Sequence, residues 1–236
     1  MSSDDRRDGP SYRVSAEELA RFRRDGYVHL CGMLSDEELL EIAATYDRFL
    51  RREITVPGKD LCDMSGDYTR TFEQFSIVNV MLPRKYHPAW QGNLYEQRAA
   101  SIVRQLHGDG MVIDYDQLLA KRPHKNDAVF EWHQDQAYWP VLPDSRTATC
   151  WLAVDDSTLE NGCMRFVPRS HKGPIRPHRP LKNDRGESHT LLTDVDPATV
   201  VVSWEEVTTD IDGGSDITIV GYQVIVALDT EPEFPR

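Results

Sequence analysis

The sequence lacks a long apolar run and has little positive charge for its size. No stretch of it approaches the roughly 18 apolar residues that a membrane-spanning helix needs. The polar start, Met1 to Arg7, has no apolar core like that of a signal peptide, so we expect a cytoplasmic protein. The 27 basic and 39 acidic residues give a formal net charge of -12. This balance argues against nucleic acid or an anionic membrane as a partner and favours a small-molecule substrate.

Closely spaced cysteine pairs are also absent. The four cysteines, Cys31, Cys62, Cys150 and Cys163, are scattered along the chain, and no two of them form a Cys-x-x-Cys motif. This spacing argues against a zinc site or a dithiol redox centre. We expect all four thiols to be reduced.

The first half of the chain has the patterns of helices. Residues 1–10 are expected to be disordered, and the length of 236 residues suits one domain over residues 11–236. Capping boxes at Ser15 and Ser35 mark two helix starts. The predicted elements of this half are a helix from Ser15 to near Gly26, a strand over Tyr27–Leu30, a helix after Ser35 and a helix over Tyr95–Leu106.

The second half is rich in short β-branched runs separated by turn-forming residues. Such runs favour a β-sandwich or jelly roll, and with the helices before them they predict an α+β fold. The predicted strands are Met111–Tyr115, Val129–Gln134, Thr147–Val154, Cys163–Val167, Val200–Trp204 and Tyr222–Ala227.

His133 and Asp135 form a His-x-Asp motif on one of these predicted strands. Side chains two residues apart on a strand leave the same face, so the imidazole and the carboxylate are able to bind one ion while Gln134 points away. A facial set of two histidines and one carboxylate holds Fe(II) and leaves open positions for a chelating co-substrate and O2. The alternative interpretation is two polar residues on a solvated strand face.

The motif lies within a longer series of patterns in a fixed order. In chain order the series is Phe22–Leu30, Leu34–Glu38, Phe130–Trp139, Leu152–Asp156 and Glu160–His171. Together these segments resemble the phytanoyl-CoA dioxygenase family of Fe(II)/2-oxoglutarate-dependent oxygenases, over about Leu19 to Asp196. The ordered series is much more specific than any one of its motifs.

The resemblance implies a fold and a chemistry. The fold is a double-stranded β-helix, a jelly-roll or cupin-like barrel, with the N-terminal helices packed on one sheet. His133 and Asp135 would be the catalytic pair and would bind Fe(II). 2-Oxoglutarate and O2 would be co-substrates in the oxidation of a small organic molecule.

Three further residues are expected to bind the co-substrate. By resemblance, Trp151 packs against 2-oxoglutarate and Gln117 contacts it. Thr149 lies two residues before Trp151 and therefore on the same strand face, from which it is able to donate a hydroxyl hydrogen bond. The alternative for all three is ordinary packing and local hydrogen bonding within a barrel.

The last fifth of the chain departs from the family pattern. The family has a second iron-binding histidine there, followed by an arginine for the far carboxylate of 2-oxoglutarate. This chain has no histidine after His189 and no lysine or arginine between Arg185 and Arg236. Ser215–Ile219 and Gly221–Leu228 match the two flanking strands and are nearly contiguous. Either the natural protein has a further segment between them, or a deletion has removed the third ligand.

Substitutes for the missing histidine are few. His171 lies in a segment that is structural in the family, and His178 and His189 are expected to be solvated. The basic segment Arg165–Arg185 is interpreted as a solvated loop, with a lid or a site for an acidic substrate as the alternative.

Aromatic residues near the motif have two interpretations. Tyr138 and Trp139 follow the metal motif directly, and Phe72 and Phe75 precede it in the chain. Each is a candidate pocket wall or a core residue. The loop Glu53–Tyr68 is expected to approach the mouth of the site.

Three functional hypotheses follow. The first is an Fe(II)/2-oxoglutarate-dependent oxygenase of specialised-metabolite tailoring, whose pocket decides between hydroxylation, ring closure and epimerisation. The second is a metal-poor jelly-roll protein that binds a small molecule or a partner without redox chemistry. The third is a cupin-like isomerase with His133 or Asp135 as its base.

Overall fold

The computed structural model describes residues 6–140, 144–196 and 220–228, the last range as backbone only. In chain order the elements are β1 (Arg7–Asp8), β2 (Ser11–Tyr12), α1 (Ala16–Asp25), α2 (Asp36–Leu50), β3 (Leu61–Asp63), β4 (Ile77–Met81), α3 (Pro83–Tyr86), α4 (Leu94–His107), β5 (Met111–Lys121), β6 (Thr147–Ala153), β7 (Arg179–Pro180), β8 (Leu191–Leu192) and β9 (Val220–Leu228). None of the described helices has the length and apolarity needed to cross a bilayer.

The predicted helices are confirmed, and their ends have the expected caps. Ser15 and Ser35 each accept a hydrogen bond from the backbone three residues on, in complete capping boxes. Gly26 ends α1 at φ 89°, a left-handed conformation that glycine adopts without strain. Asn93 caps α4, which begins at Leu94, one residue before the predicted range.

The N-terminal segment differs from the prediction of disorder. Residues 7–12 form the hairpin of β1 and β2. Arg98 of α4 donates to the Gly9 carbonyl at 3.0 Å, Gln105 donates to the Tyr12 carbonyl at 2.7 Å, and Tyr12 is buried. The disorder prediction is therefore wrong for residues 6–10, because α4 supplies partners for their backbone. Residues 1–5 lie outside the described ranges.

The main sheet has five strands in the order β3-β4-β5-β9-β6, and all its neighbours are antiparallel. The predicted strands over Met111–Tyr115, Thr147–Val154 and Tyr222–Ala227 are confirmed as parts of β5, β6 and β9. Strand β9 lies between β5 and β6 and pairs with β5 from Val220 to Leu228. The fold is mixed α+β, and the described strands form this open sheet together with two small two-stranded ones.

Three predicted strands do not form as expected. Tyr27–Leu30 is irregular, and the Tyr27 ring stacks on Phe166 at 4.6 Å between centroids. Within the predicted strand Cys163–Val167, Phe166 alone forms an isolated β-bridge. Val129–Gln134 forms no strand, because its backbone makes hydrogen bonds to loop residues such as Thr193 and His178. The predicted strand Val200–Trp204 lies outside the described residues.

The two faces of the sheet are covered differently. One face packs on α2 and α4 in the main apolar core, which includes Tyr46, Tyr95, Val80, Leu118 and Ala120. Phe75 is buried in this core with Phe72 packed against it, so of their two interpretations the structure favours core residues. The other face carries alternate side chains of β5 and β6, which line a large cavity.

Candidate metal and co-substrate site

His133 and Asp135 lie side by side at the edge of this cavity. The predicted strand is absent there, and Asp135 instead begins a short 3-10 helix, Asp135–Tyr138. Gln134 between them is extended, with φ -113° and ψ 126°, so the two side chains still project to the same side. The Nε2 atom of His133 is 3.1 Å from Oδ1 of Asp135, and the side chains are 21% and 37% exposed.

Each residue of the pair is oriented by its second polar atom. Nδ1 of His133 donates to the Glu131 carbonyl at 2.7 Å, which leaves Nε2 with its lone pair directed toward Asp135 when the ring is neutral. Oδ2 of Asp135 accepts a hydrogen bond from the Thr149 hydroxyl at 2.6 Å, so Oδ1 is the free oxygen on the side of His133. Outer partners of this kind orient metal ligands in proteins.

The contact of Thr149 differs from the one that we predicted. Its hydroxyl has a single proton, and the structure directs this proton to the Asp135 carboxylate. Thr149 therefore orients the carboxylate in the described arrangement. Its predicted donation to the co-substrate stays a prediction.

The pair is electrostatically coupled. Burial disfavours both charges, but the Asp135 carboxylate outweighs this and raises the pKa of His133 above its ordinary value. Burial likewise opposes ionisation of Asp135, whereas His133 and Thr149 lower the pKa of its carboxyl group. Each residue of the pair therefore favours the charged form of the other. A metal ion on Nε2 would require the imidazole to carry no proton there.

The separation of the two donor atoms fits a bound metal. Two ligand atoms about 2.1 Å from an ion, at right angles to each other, are about 3 Å apart. The observed 3.1 Å matches this spacing without movement of either side chain. The pair thus has the donor types and the spacing of one imidazole and one carboxylate of an Fe(II)-binding set.

A third protein ligand does not accompany them in the part of the chain that the structure describes. No group of three histidine, cysteine, aspartate or glutamate side chains is placed there to hold a metal. His171 lies against Gly26 and Arg23, His178 is bonded to Gln134, and His189 stacks near Tyr138. Ser215–Ile219 lies outside the described residues, so both alternatives for the missing histidine stay open.

Gln117 and Trp151 face the cavity from the sheet. Both pair with the same β9 residue, Gln223, from opposite sides, so they lie in one row across three strands. Both line the cavity, and Gln117 is only 8% exposed. Tyr115 donates to the Gln117 side-chain oxygen at 3.4 Å. The structure brings these two residues to one face, as predicted, while their contacts with a co-substrate stay predictions.

Two aromatic rings lie beside His133. Tyr138 is edge-on to His133, with centroids 5.7 Å apart, and Phe130 lies 5.0 Å away. Tyr138 and Trp139 line the cavity, which agrees with their prediction as pocket walls. Phe130 begins the segment Phe130–Trp139, but no sequence pattern there indicates that its ring lies beside His133.

The basic segment contributes cations to the same cavity. The Arg185 guanidinium lies 5.4 Å from the Tyr138 ring centroid and donates to the His189 carbonyl. Within the described ranges no carboxylate pairs with Arg185. Burial, with Arg185 adding to it, lowers the pKa of His189 to about 4, so this imidazole is neutral near pH 7. Among the described residues, Arg185 is therefore a cation with no paired carboxylate, beside Tyr138 in the cavity lining.

Comparison with known proteins identifies the family. A family model described as phytanoyl-CoA dioxygenase (PhyH) matches residues 22–206. The chain belongs to this family. The peroxisomal phytanoyl-CoA dioxygenase of Rattus norvegicus is 22% identical over 192 residues, which cover 78% of this chain and 56% of that protein. The chain spans little more than half the length of that relative.

Solved structures share the fold with this family member. EvdO2 from Micromonospora carbonacea var. aurantiaca, complexed with 2-oxoglutarate, matches with a TM-score of 0.68 and 23% identity, over 94% of this chain and 96% of that chain. The epimerase SnoN, in complex with Fe3+, alpha ketoglutarate and nogalamycin RO, matches with a TM-score of 0.60 and 20% identity, over 93% of this chain and 85% of that one.

Proposed function

We propose that this protein is an Fe(II)/2-oxoglutarate-dependent oxygenase that oxidises a small organic molecule. The observation that carries the proposal is the pair of donor atoms on His133 and Asp135, 3.1 Å apart in a chain of this family. Both side chains are oriented by second hydrogen bonds, and both border a cavity large enough for a co-substrate and a substrate. The iron-containing and 2-oxoglutarate-containing neighbours support the same reaction class.

The protein's own residues have distinct tasks in this proposal. His133 and Asp135 hold the ion, which supplies O2 activation and hydrogen abstraction from substrate carbon when it is bound. Thr149 fixes the carboxylate, and Phe130 and Tyr138 keep water from the imidazole. Gln117 and Trp151 face the space beside the pair, where we place 2-oxoglutarate.

We assign the far carboxylate of 2-oxoglutarate to Arg185. This anion needs a cation or hydroxyl donors, and arginine matches carboxylate geometry with two parallel hydrogen bonds. Arg185 lines the cavity beside Tyr138, which itself touches His133. It would thus take the place of the family arginine that the end of this sequence lacks.

The proposed substrate class is a specialised metabolite, and the proposed architecture is a single domain. The epimerase SnoN, crystallised with nogalamycin RO, supports a tailoring reaction such as epimerisation. We further propose that the five-stranded sheet is one wall of a double-stranded β-helix over residues 11–236.

Turnover of 2-oxoglutarate tests the function. We expect the purified protein to form succinate when supplied with Fe(II), 2-oxoglutarate and oxygen, even without its substrate. His133→Ala should abolish this product, whereas His171→Ala, on an exposed turn, should not. Turnover that survives in His133→Ala would disprove the iron assignment.

A second candidate is a binding protein without redox activity. The observation that favours it is the absence of a third metal-binding side chain beside His133 and Asp135 among the described residues. This candidate predicts no succinate and no effect of chelators on ligand binding. The intact mass of the natural protein distinguishes a missing segment from a true deletion. A mass above the calculated 27.0 kDa, with the excess mapped to the region of Ile219–Gly221, would reveal a segment able to carry the missing ligand.

A further inference from the structure

The backbone between the two metal-binding residues is held by the basic segment. The backbone amide of Gln134 donates to Nε2 of His178 at 3.0 Å. The Arg176 amide donates to the side-chain oxygen of Gln134 at 2.7 Å. Nδ1 of His178 donates to the Arg176 carbonyl at 2.7 Å, which closes the set. Gln134 is therefore fastened through both its backbone and its side chain.

These contacts define the state of the His178 ring. Nε2 accepts a hydrogen bond from an amide, so it carries no proton. Nδ1 carries the proton and donates it to the Arg176 carbonyl. The neutral ring is thus satisfied at both nitrogens. His178 is not among the residues that line the cavity, so its contact to Gln134 does not depend on a bound ligand.

The backbone between His133 and Asp135 needs hydrogen bonds of this kind because it lies outside the sheet. In a strand, ladder hydrogen bonds on both sides would fix the backbone between two ligands. Residues 128–134 have no strand, and Asp135 begins a 3-10 helix. The distance between the donor atoms of His133 and Asp135 depends on the extended dihedrals of Gln134, which are maintained by hydrogen bonds outside any strand ladder.

We propose that His178, together with the Arg176 backbone, is a positioning clamp that sets the spacing of the metal-binding pair. The clamp acts on the metal-binding pair through Gln134. It replaces the strand ladder that the chain lacks at this point. The proposal rests on the proposed function only in that a divalent cation binds His133 and Asp135.

The competing explanation is that His178 merely fastens the basic segment to the domain. Both explanations predict lower stability when His178 is removed. Only the clamp predicts that protein which is still folded binds the metal more weakly. It also predicts that metal affinity recovers when another side-chain acceptor replaces His178. Loss of outer partners of metal ligands costs about 10- to 100-fold in metal affinity.

The test measures Co(II) binding to the full chain by calorimetry and by the cobalt absorption spectrum. We expect His178→Ala to weaken Co(II) binding at least about tenfold. His178→Gln, whose side-chain oxygen is able to accept from the Gln134 amide, should recover most of the loss. His171→Ala is the matched control from the same basic segment and should bind Co(II) like the wild type.

A second variant guards against misfolding. Gln134→Met removes the acceptor for the Arg176 amide and keeps the side-chain volume, and we expect a loss of several fold with an unchanged circular dichroism spectrum. Wild-type affinity in both folded variants would overturn the clamp, as would a wild type that binds Co(II) no better than His133→Ala. Clamp-dependent Co(II) binding without any succinate formation would leave the clamp standing and refute the oxygenase.

Discussion

The two faces of the five-stranded sheet are stabilised in different ways. On the helix side, regular elements bury a continuous apolar core that includes Leu118 and Tyr95. On the cavity side, a smaller apolar cluster around Met64 and Ile77 packs with Phe130. Irregular segments on that side are also held by individual hydrogen bonds, such as that from the Leu191 amide to Tyr138 at 2.8 Å. Because the main apolar core lies on the face away from the site, we expect mutations there to separate stability from ligand binding.

The largest expected effect on stability is in the core. Leu118→Ala should lower the free energy of unfolding by about 2–5 kcal/mol, because it leaves a cavity at a fully buried position. Urea unfolding measures the loss. Metal affinity of the folded fraction should be unchanged, and a parallel loss of affinity would break the proposed separation of the two faces.

The largest expected effect on binding is at Asp135. Asp135→Asn keeps the size of the side chain but removes the charge, so we expect at least a hundredfold loss of Co(II) affinity, about 2.7 kcal/mol. The thermal midpoint should change little, because the side chain is 37% exposed. Asp144→Asn, an exposed aspartate paired with Arg146, is the control that should bind Co(II) normally.

Arg185 should affect the co-substrate alone. We expect Arg185→Gln to weaken 2-oxoglutarate binding to the Fe(II)-loaded protein about tenfold, and Arg185→Lys to weaken it less. Pyruvate has no far carboxylate, so its binding should not respond. The anaerobic absorption band of the iron complex reports both affinities. Arg179→Gln, in strand β7 on the same segment, should behave as the wild type, and an equal loss for pyruvate would refute the assignment.

Thr149 should have a smaller effect, on the metal only. Thr149→Val removes the hydrogen bond to Asp135 at nearly constant volume, and we expect about a tenfold loss of Co(II) affinity. Thr149→Ser keeps the hydroxyl and should retain most of the affinity. Should valine bind Co(II) as well as serine does, Thr149 would have no part in orienting the carboxylate.

The smallest expected effect is a pH dependence from His189. Its pKa is lowered from 6.5 to about 4 in the folded state, so the unfolded chain takes up the proton first as the pH falls. The contribution to stability is therefore complete above about pH 6.5 and is lost progressively as the pH falls toward 4. His189→Gln should flatten this part of the stability profile measured by urea unfolding, and an unchanged slope in this variant would contradict the prediction.

Local patterns predicted the elements that depend on local physics. The helices start at Ser15, Ser35 and Asn93 because side-chain caps act within one turn, and two of these starts were visible as capping boxes. The strands β5, β6 and β9 were visible as β-branched runs. Val129–Gln134 has a similar composition and forms no strand, because strand formation needs a partner that composition does not specify.

The sequence by itself determined that the His133 and Asp135 side chains lie together, since the His-x-Asp motif is a local property and a single extended residue keeps its side chains on one side. It also determined the family, through the order of its motifs. The tertiary structure alone decided how the pair is held. Thr149 reaches Asp135, and His178 reaches Gln134, across 14 and 44 residues of sequence. Such contacts depend on the path of the whole chain, which no local pattern encodes.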